Sequence, residues 1–144
     1  MEPVSHAPRS FVSMRRLLPA FMFLLVVPLA PTTLRGKVVG VSDGDTITVL
    51  NEKTPIKVRL YGIDCPEKGQ AFGARAKQLT SDLVFGKTVD VEPVEIDQYG
   101  RTVGIVKLEN GKIVNAEILR AGFAWVYDRY CTKPVCLEGG APGR

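Results

Sequence analysis

Four carboxylates lie in two short segments of this chain, where predicted strands end. Asp43 and Asp45 flank a glycine in "SDGDT", and Asp64 and Glu67 follow a strand-like run in "GIDCPE". Taken singly, each aspartate is also an ordinary turn residue. Carboxylates that crowd one pocket repel each other, and a hard divalent cation with oxygen ligands usually stabilises them. If the fold brings the two segments together, the sequence therefore predicts a metal site.

Two arginines are candidates for the same pocket. Arg59 lies five residues before Asp64 on a predicted strand, and Arg101 ends a polar turn in "DQYGRTVG". Taken separately, each would be an ordinary solvated arginine. Beside a carboxylate-bound cation, two guanidiniums suit a phosphodiester, because its charge spreads over oxygens as a fifth ligand adds to phosphorus.

The chemistry of the domain must do without histidine. The only histidine is His6, which lies in a predicted leader. Its absence from the rest of the chain excludes Ser-His-Asp and Cys-His catalysis and leaves a carboxylate as the natural general base. A zinc site is not expected, since no histidine completes a ligand set.

Residues 1–31 have the build of an export leader. Arg15 and Arg16 precede an apolar stretch, residues 17–30, that is short for a membrane span of about 20 residues. We expect a secreted or periplasmic protein, or a membrane-anchored one if the leader is not cleaved. The cleavage site is poor, because Pro31 follows the stretch directly. A buried N-terminal helix is a further alternative, which two prolines disfavour.

The rest of the chain has the length and composition of one globular domain. The 144 residues are 45% apolar and 24% charged. The formal net charge falls from +4 to +2 without the leader, so bulk charge identifies no partner. Cys131 and Cys136 could close a disulfide in an oxidising compartment, which leaves Cys65 single. We predict a leader at 1–31, a domain at 32–131 and a short tail at 132–144.

Alternating hydrophobicity predicts five strands, at 37–41, 46–50, 55–63, 88–94 and 101–108. Pro93 suggests an edge or a bulge in the fourth strand, and a slip of alternation near Gly104 suggests a bulge in the fifth. With two helices, this order predicts a mainly β protein with α, built as a small closed barrel with attached helices. An open antiparallel sheet with helices on one face is the competing layout.

The two helices follow the third and fifth strands. The first lies between Gln70 and Phe85, with an apolar stripe of Phe72, Ala76, Leu79 and Leu83. The second begins after Asn115 as N-cap, with Val114 and Leu119 at the hydrophobic-staple positions, and ends at Gly122. Trp125, just beyond, is expected in the core.

Four segments in order resemble the signature blocks of the thermonuclease, or staphylococcal nuclease-like, family. They are "VSDGDTITVL", "IKVRLYGIDCPE", "DQYGRTVGIV" and "VNAEILRAGFAWVY", and the match runs from about Lys37 to Tyr130. Family members have a five-stranded OB-type barrel with helices and use calcium to hydrolyse DNA and RNA. The resemblance implies a calcium-dependent endonuclease with little sugar specificity that leaves 3'-phosphate ends. It implies single-stranded substrates by preference, a monomer and no protein partner.

The resemblance also implies a metal site. Asp45 and Asp64 would bind calcium through their carboxylates, and the main-chain carbonyl of Cys65 would be a further ligand. Asp43 matches an acid that lies near the metal. The family's reference member has threonine where this chain has Cys65, an exchange that a backbone ligand should tolerate.

The catalytic assignments follow from the same match. Glu67 matches the glutamate that positions or deprotonates the attacking water, and Arg59 and Arg101 match the arginines that hold the phosphate. Tyr99 and Tyr127 are candidates for substrate contacts through stacking and hydroxyl bonds, with packing at the barrel rim as the alternative.

Two features bear on whether the family's activity is retained. Members usually continue into a third helix, whereas this chain ends in "CLEGGAPGR", so the C-terminal helix is expected to be missing. Inactive relatives typically lose the acidic or arginine positions, and all of these are present here. An enzyme is therefore expected, and a catalytically silent OB-type module that binds nucleic acid is the alternative.

Overall fold

The computed structural model describes residues 32–127 and 131–135, so the predicted leader and most of the predicted tail lie outside it. Its elements in chain order are β1 Leu34–Asp43, β2 Thr46–Asn51, β3 Thr54–Leu60, β4 Ile63–Asp64, α1 Gly73–Val84, β5 Thr88–Ile96, β6 Thr102–Leu108, α2 Val114–Arg120 and β7 Trp125–Val126. In these residues no helix is long and apolar enough to cross a membrane. The expected absence of a third helix concerns residues beyond 135, which are not described.

Five of the strands form a closed barrel in the order β1-β2-β3-β6-β5. β1 closes the barrel by pairing with both β2 and β5, and only the β3–β6 pair is parallel. The strands β4 and β7 form a separate two-stranded ladder. The predicted five-stranded barrel with attached helices, mainly β with α, is confirmed, and the open-sheet alternative is wrong.

The barrel interior is filled by one face of each alternating strand. Ile47 and Val49 of β2 and Val58 and Leu60 of β3 are fully buried, as the period of two requires. β6 departs from alternation because it is buried on both faces. Val106 lies in the main core, whereas Val103 and Ile105, on the opposite face of the strand, pack in a second cluster. This double burial explains the slip in the sequence pattern.

A bulge shapes the β5–β6 pair. The register shifts between Pro93 and Glu95, opposite Gly104 of β6. A Cβ at Gly104 would lie 2.9 Å from the carbonyl oxygen of Glu92, so only glycine fits this close approach. The predicted bulges at Pro93 and near Gly104 are thus one irregularity, and Pro93 is not at an edge because the barrel is closed.

Helix α1 packs through a face that matches the predicted stripe only in part. Its buried residues are Gly73, Ala76, Thr80 and Val84, whereas Leu79 and Leu83 are partly buried against the core. Phe72 was wrongly placed on the stripe, since it is 63% exposed and precedes the helix with φ 67°. Gly73 takes the inner position instead, where a Cβ would lie 2.1 Å from the carbonyl oxygen of Glu67.

The predicted N-cap of the second helix is also wrong. α2 begins at Val114, and Asn115 inside it is fully buried. The Asn115 amide accepts a hydrogen bond from Val106 N at 3.0 Å and donates to the carbonyls of Tyr61 and Gly104 at 3.0 and 3.3 Å. The asparagine therefore joins the helix to the barrel. Val114 and Leu119, the predicted staple, are both core residues, and the predicted end at Gly122 is confirmed by its positive φ of 77°.

The cysteines have different states. Cys65 is free and buried. Cys131 is disulfide-bonded, whereas Cys136, its predicted partner, lies outside the described residues.

Candidate active site

A buried aspartate is the centre of the first acidic turn. The Asp45 side chain is 7% exposed, and each of its oxygens has a donor: Thr46 Oγ1 at 2.9 Å and the peptide nitrogen of Cys65 at 3.3 Å. The second contact comes from the other acidic segment, directly after β4. Hydrogen bonds from both sides fix the position of the carboxylate, because a buried charge needs partners.

Helix α1 supports this turn from beneath. The hydroxyl of Thr80, which is fully buried, donates to the carbonyl oxygen of Gly44 at 2.6 Å. A Cβ at Gly44 would lie 2.9 Å from the Cβ atoms of both Ala76 and Cys65. The residue between the two aspartates must therefore be glycine, and the helix packs directly against it.

Arg59 joins the two acidic segments. It lies on β3 opposite Thr46 of β2, one residue from Asp45. Its Nη1 is 3.4 Å from Asp45 Oδ2, and its Nη2 donates to Asp64 Oδ1 at 3.0 Å. Burial alone would lower the pKa of Arg59, but the carboxylates of Asp45 and Asp64 outweigh it and raise the pKa above its ordinary value. One guanidinium therefore reaches carboxylates from both turns.

All four predicted carboxylates line one cavity of about 370 Å³. The lining comprises Asp43, Asp45, Thr46, Arg59, Asp64, Cys65, Glu67, Lys68 and Arg101. The structure thus brings together the two segments that are about 20 residues apart in the chain, together with both predicted arginines. The cavity therefore has carboxylates, which can bind a cation, and guanidiniums, which can bind an anion beside it.

Glu67 is on the exposed side of this cavity. Its peptide nitrogen donates to Gln70 Oε1 at 2.9 Å, and its carbonyl accepts from the peptide nitrogen of Gln70 at 2.9 Å. This reciprocal pair holds the main chain of the loop before α1. The Glu67 side chain also lines a second cavity of about 580 Å³, shared with Arg59, Asp64, Tyr99, Arg101 and Tyr127.

Arg101 is held by an aspartate that the sequence analysis did not single out. Asp97 Oδ2 accepts from Arg101 Nε at 2.7 Å, and Asp97 Oδ1 accepts from the peptide nitrogens of Tyr99 and Arg101, each at 2.9 Å. Burial alone would raise the pKa of Asp97, but these hydrogen bonds outweigh it and lower the pKa. The guanidinium carbon also lies 5.3 Å from the centre of the Tyr99 ring, a cation–π distance.

The aromatic residues near the site are exposed. Tyr99 is 74% and Tyr127 is 45% exposed, and both line the second cavity. Trp125 was wrongly assigned to the core, since it is 52% exposed. The reason lies in the small ladder, where Val126 pairs with the buried Ile63, so that the adjacent Trp125 takes the opposite face.

The donor atoms of the cavity suit a calcium ion. Asp45 and Asp64 offer carboxylate oxygens that already share one cationic group, and calcium takes six to eight oxygen ligands, main-chain carbonyls and water included. The buried Cys65 thiol is no competing ligand, because calcium takes oxygen ligands and thiolates suit softer metals. In residues 32–127 and 131–135, no three His, Cys, Asp or Glu side chains converge as a ready ligand set. Backbone and water would have to complete the coordination.

Three supporting residues were missed from the sequence. The sequence does contain a pattern that indicates the role of Asp97: an aspartate four residues before an arginine, as in "DQYGR", is typical of an Asx turn with a salt bridge. The pattern for Thr80 is weaker, since it is only the polar member of an otherwise apolar helix face. Thr46 had none, since a threonine in a strand is ordinary.

Comparison with known proteins agrees with this architecture. The family model described as "Staphylococcal nuclease homologue" matches residues 57–136. This chain belongs to the staphylococcal nuclease family. Family membership makes it a nuclease, that is, a phosphodiester hydrolase, as the sequence analysis expected.

Several relatives are similar over most of their length. A protein of Escherichia coli O157:H7 described as an uncharacterized endonuclease is 42% identical over 122 residues, which cover 85% of this chain and 80% of that protein. A micrococcal nuclease of Shigella flexneri is 42% identical over 133 residues, covering 87% and 75%. An endonuclease of Haemophilus influenzae, also described as uncharacterized, is 44% identical over 103 residues, covering 71% and 57%.

Proposed function

We propose that this nuclease is a calcium-dependent endonuclease that hydrolyses DNA and RNA, single strands by preference, and leaves 3'-phosphate ends. The observation that carries the proposal is the contact of one guanidinium, that of Arg59, with Asp45 and Asp64 from separate turns. Glu67 and Arg101 line the same cavity. The name of the Shigella relative, micrococcal nuclease, supports the nuclease part of the proposal.

Arg59 and Arg101 would hold the scissile phosphate. A guanidinium carries five N–H donors, and the contacts of Arg59 with Asp45 and Asp64 use only part of them. Arg101 is oriented by its Nε bond to Asp97, which leaves its terminal nitrogens as donors toward the cavity. Donors that are already oriented stabilise the charge that develops on phosphate oxygens without reorganising first.

Glu67 would act as the general base. Its carboxylate takes a proton from water, the water oxygen bonds to phosphorus, and the bond from phosphorus to the 5'-oxygen breaks. The leaving 5'-oxygen takes up a proton from solvent, and the products are a 3'-phosphate and a 5'-hydroxyl. The exposure of Glu67 at the junction of the two cavities supports this role, since a base must reach both solvent and substrate.

Asp45, Asp64 and the main-chain carbonyl of Cys65 would hold the calcium ion, with Asp43 nearby in the same cavity. When bound, the ion would supply positive charge beside the phosphate and the attacking water. Asp45 is already fixed by Thr46 and the Cys65 peptide, so little ordering of that ligand would remain to be done.

Cleavage of denatured DNA tests the proposal. The full chain should degrade it with calcium, stop when EGTA is added, and produce 3'-phosphate ends by end-labelling. Glu67→Gln and Arg59→Ala should each lower kcat by about 100- to 1000-fold, as the loss of other preorganised groups does. Thermal melting of each variant checks that the protein remains folded.

Matched controls exist at a second arginine that bridges two acids. Arg35 contacts Asp90 at 3.1 Å and Glu109 at 2.7 Å, and none of the three lines the site cavities. Arg35→Ala and Glu109→Gln should therefore leave kcat unchanged. Calcium-dependent binding of DNA without any cleavage would instead favour the silent binding module.

We also propose that the chain acts as an exported monomer. The apolar stretch after Arg15 and Arg16 supports export, and the domain at 32–131 would then be the active unit. Fractionation of cells that express the full chain, followed by N-terminal sequencing of the active form, tests both export and removal of the leader.

A further inference from the structure

An exposed aromatic groove lies next to the catalytic cavity. It has a volume of about 350 Å³ and is lined by Pro66, Phe72, Arg75, Gly122, Phe123 and Trp125. Phe72 is 63% and Trp125 is 52% exposed, although large aromatic side chains are usually covered. Adjacent exposed apolar groups of this kind mark sites where a ligand or partner binds.

The groove is continuous with the proposed active site. Pro66 lines the groove, and its two chain neighbours, Cys65 and Glu67, line the catalytic cavity. Trp125 pairs directly with Asp64 in the β4–β7 ladder. Residues directly opposite in an antiparallel pair have Cβ atoms about 5 Å apart on one face. The tryptophan therefore lies beside the acid that is a proposed calcium ligand.

Phe72 is presented to solvent by an unusual backbone conformation. Its φ of 67° is in the left-handed region, which bulky residues rarely adopt and which often marks functional sites. The ring is not drawn into the core, because the neighbouring Gly73 takes the inner position. Arg75, in the first turn of the helix, adds a positive charge at the groove.

We propose that this groove binds unpaired bases of the nucleic-acid strand next to the scissile phosphate. The bases stack on Trp125 and Phe72, and Arg75 contacts a backbone phosphate. Exposed aromatic faces with a nearby cation are what single-stranded nucleic acid requires, whereas bases inside a duplex have no free faces to stack. The inference rests on the proposed function, because a strand held at the catalytic cavity must pass this adjoining surface. It assigns the single-strand preference to particular side chains.

Tryptophan fluorescence tests binding without altering the groove. Trp125 is the only tryptophan in the chain, so its emission reports on this site alone. In the Glu67→Gln variant, which should cleave about 100- to 1000-fold more slowly than the wild type, an unlabelled single-stranded DNA of about ten nucleotides should quench the emission at saturation. A blunt duplex of the same sequence and a mononucleotide should quench it far less.

Kinetics on substrates of different length test the role of the groove. The ratio of kcat/KM for the ten-nucleotide strand to that for a dinucleotide should fall about tenfold in Trp125→Ala and in Phe72→Ala, since stacking on one aromatic side chain is worth about five- to a hundredfold in binding. Phe85→Ala is the matched control. Phe85 is 56% exposed at the other end of the same helix, so the ratio should not change.

The outcomes separate this inference from the nuclease proposal. Quenching by single strands, together with a wild-type protein that does not cleave DNA in calcium, would keep the groove and overturn the endonuclease. Cleavage with no quenching and an unchanged length ratio would overturn the groove alone. Quenching that depends on protein concentration without DNA would also overturn it, because a second copy of the chain would then be the occupant.

Discussion

The hydroxyl of Thr80 provides a sharp test of how the fold positions the acidic turn. It donates at 2.6 Å to the carbonyl of Gly44, between Asp43 and Asp45, and Thr80 is fully buried. Thr80→Val keeps the volume and removes the donor. Because the valine methyl fills the place of the hydroxyl, the substitution opens no space for a replacement water. An unsatisfied buried acceptor costs about 1–3 kcal/mol, and about 1 kcal/mol lowers Tm by about 4–8 °C in a domain of this size.

Thr80→Val should also impair calcium-dependent cleavage, although it only replaces a hydroxyl by a methyl group. Since the unpaired carbonyl lies between two candidate site residues, we expect the calcium concentration for half-maximal cleavage to rise several-fold, alongside the drop in Tm. Thr80→Ser is the matched control, because it keeps the hydroxyl and loses only a methyl group, at a cost of about 1 kcal/mol. It should retain the wild-type calcium requirement. A Thr80→Val protein with wild-type Tm and calcium requirement would refute the role given to this hydrogen bond.

Three further predictions concern Asp97, Cys65 and Asn115. The lowered pKa of Asp97 means that its stabilising contribution is complete above its ordinary pKa of 3.8 and is lost as pH falls through the folded-state pKa; Asp97→Asn should therefore flatten the acid limb of a plot of unfolding free energy against pH, and an unchanged limb would contradict this. Cys65 is buried, and its pKa is raised to about 12. A disulfide-exchange thiol reagent at pH 8 should therefore label no cysteine in residues 32–127 until denaturant is added. Rapid labelling of Cys65 in the folded protein would contradict its burial. Asn115→Ala leaves the Val106 N–H and the Tyr61 carbonyl without the Asn115 amide, whereas the Gly104 carbonyl keeps its bond from the Tyr61 peptide nitrogen. The substitution should cost about 3 kcal/mol in a urea titration, and a loss below about 1 kcal/mol would mean that water replaces the amide.

The barrel could be predicted because strand patterns are local. The alternation in β2 and β3 marks the buried face of each strand, and a one-domain chain with five such segments has few ways to bury them. Closure itself could not be derived from pattern, since it depends on β1 pairing with β5 far along the chain. β6 was harder still, because burial on both faces removes the alternation.

The errors have a common physical cause in tertiary packing. Asn115 has the residue type of an N-cap, but the barrel offered it three backbone partners and the helix began before it. Trp125 has the residue type of a core residue, but its place on a two-residue ladder turned it outward. In each case local propensity was overridden by contacts with residues distant in sequence.

The candidate site was predictable as a set of residues and not as a geometry. Asp45, Asp64 and Arg59 were chosen by type and position at strand ends, and the structure brings them together. The contact of one guanidinium with both aspartates could not be predicted from the sequence. It arises from the register that places Thr46 opposite Arg59. The support from Thr80 and Asp97 depends on the same long-range contacts.

Calorimetric titration of the full chain with calcium, in the presence of a non-cleavable single-stranded nucleotide analogue, tests most directly whether acids from two turns form one cation site. We predict one ion per chain, with affinity reduced by at least about tenfold in Asp45→Asn and in Asp64→Asn, because calcium affinity follows the number of charged ligands. Asp90→Asn, which removes an arginine-paired aspartate outside the cavity, should bind as the wild type does. Equal affinity in all four proteins, or no binding to the wild type, would contradict the account.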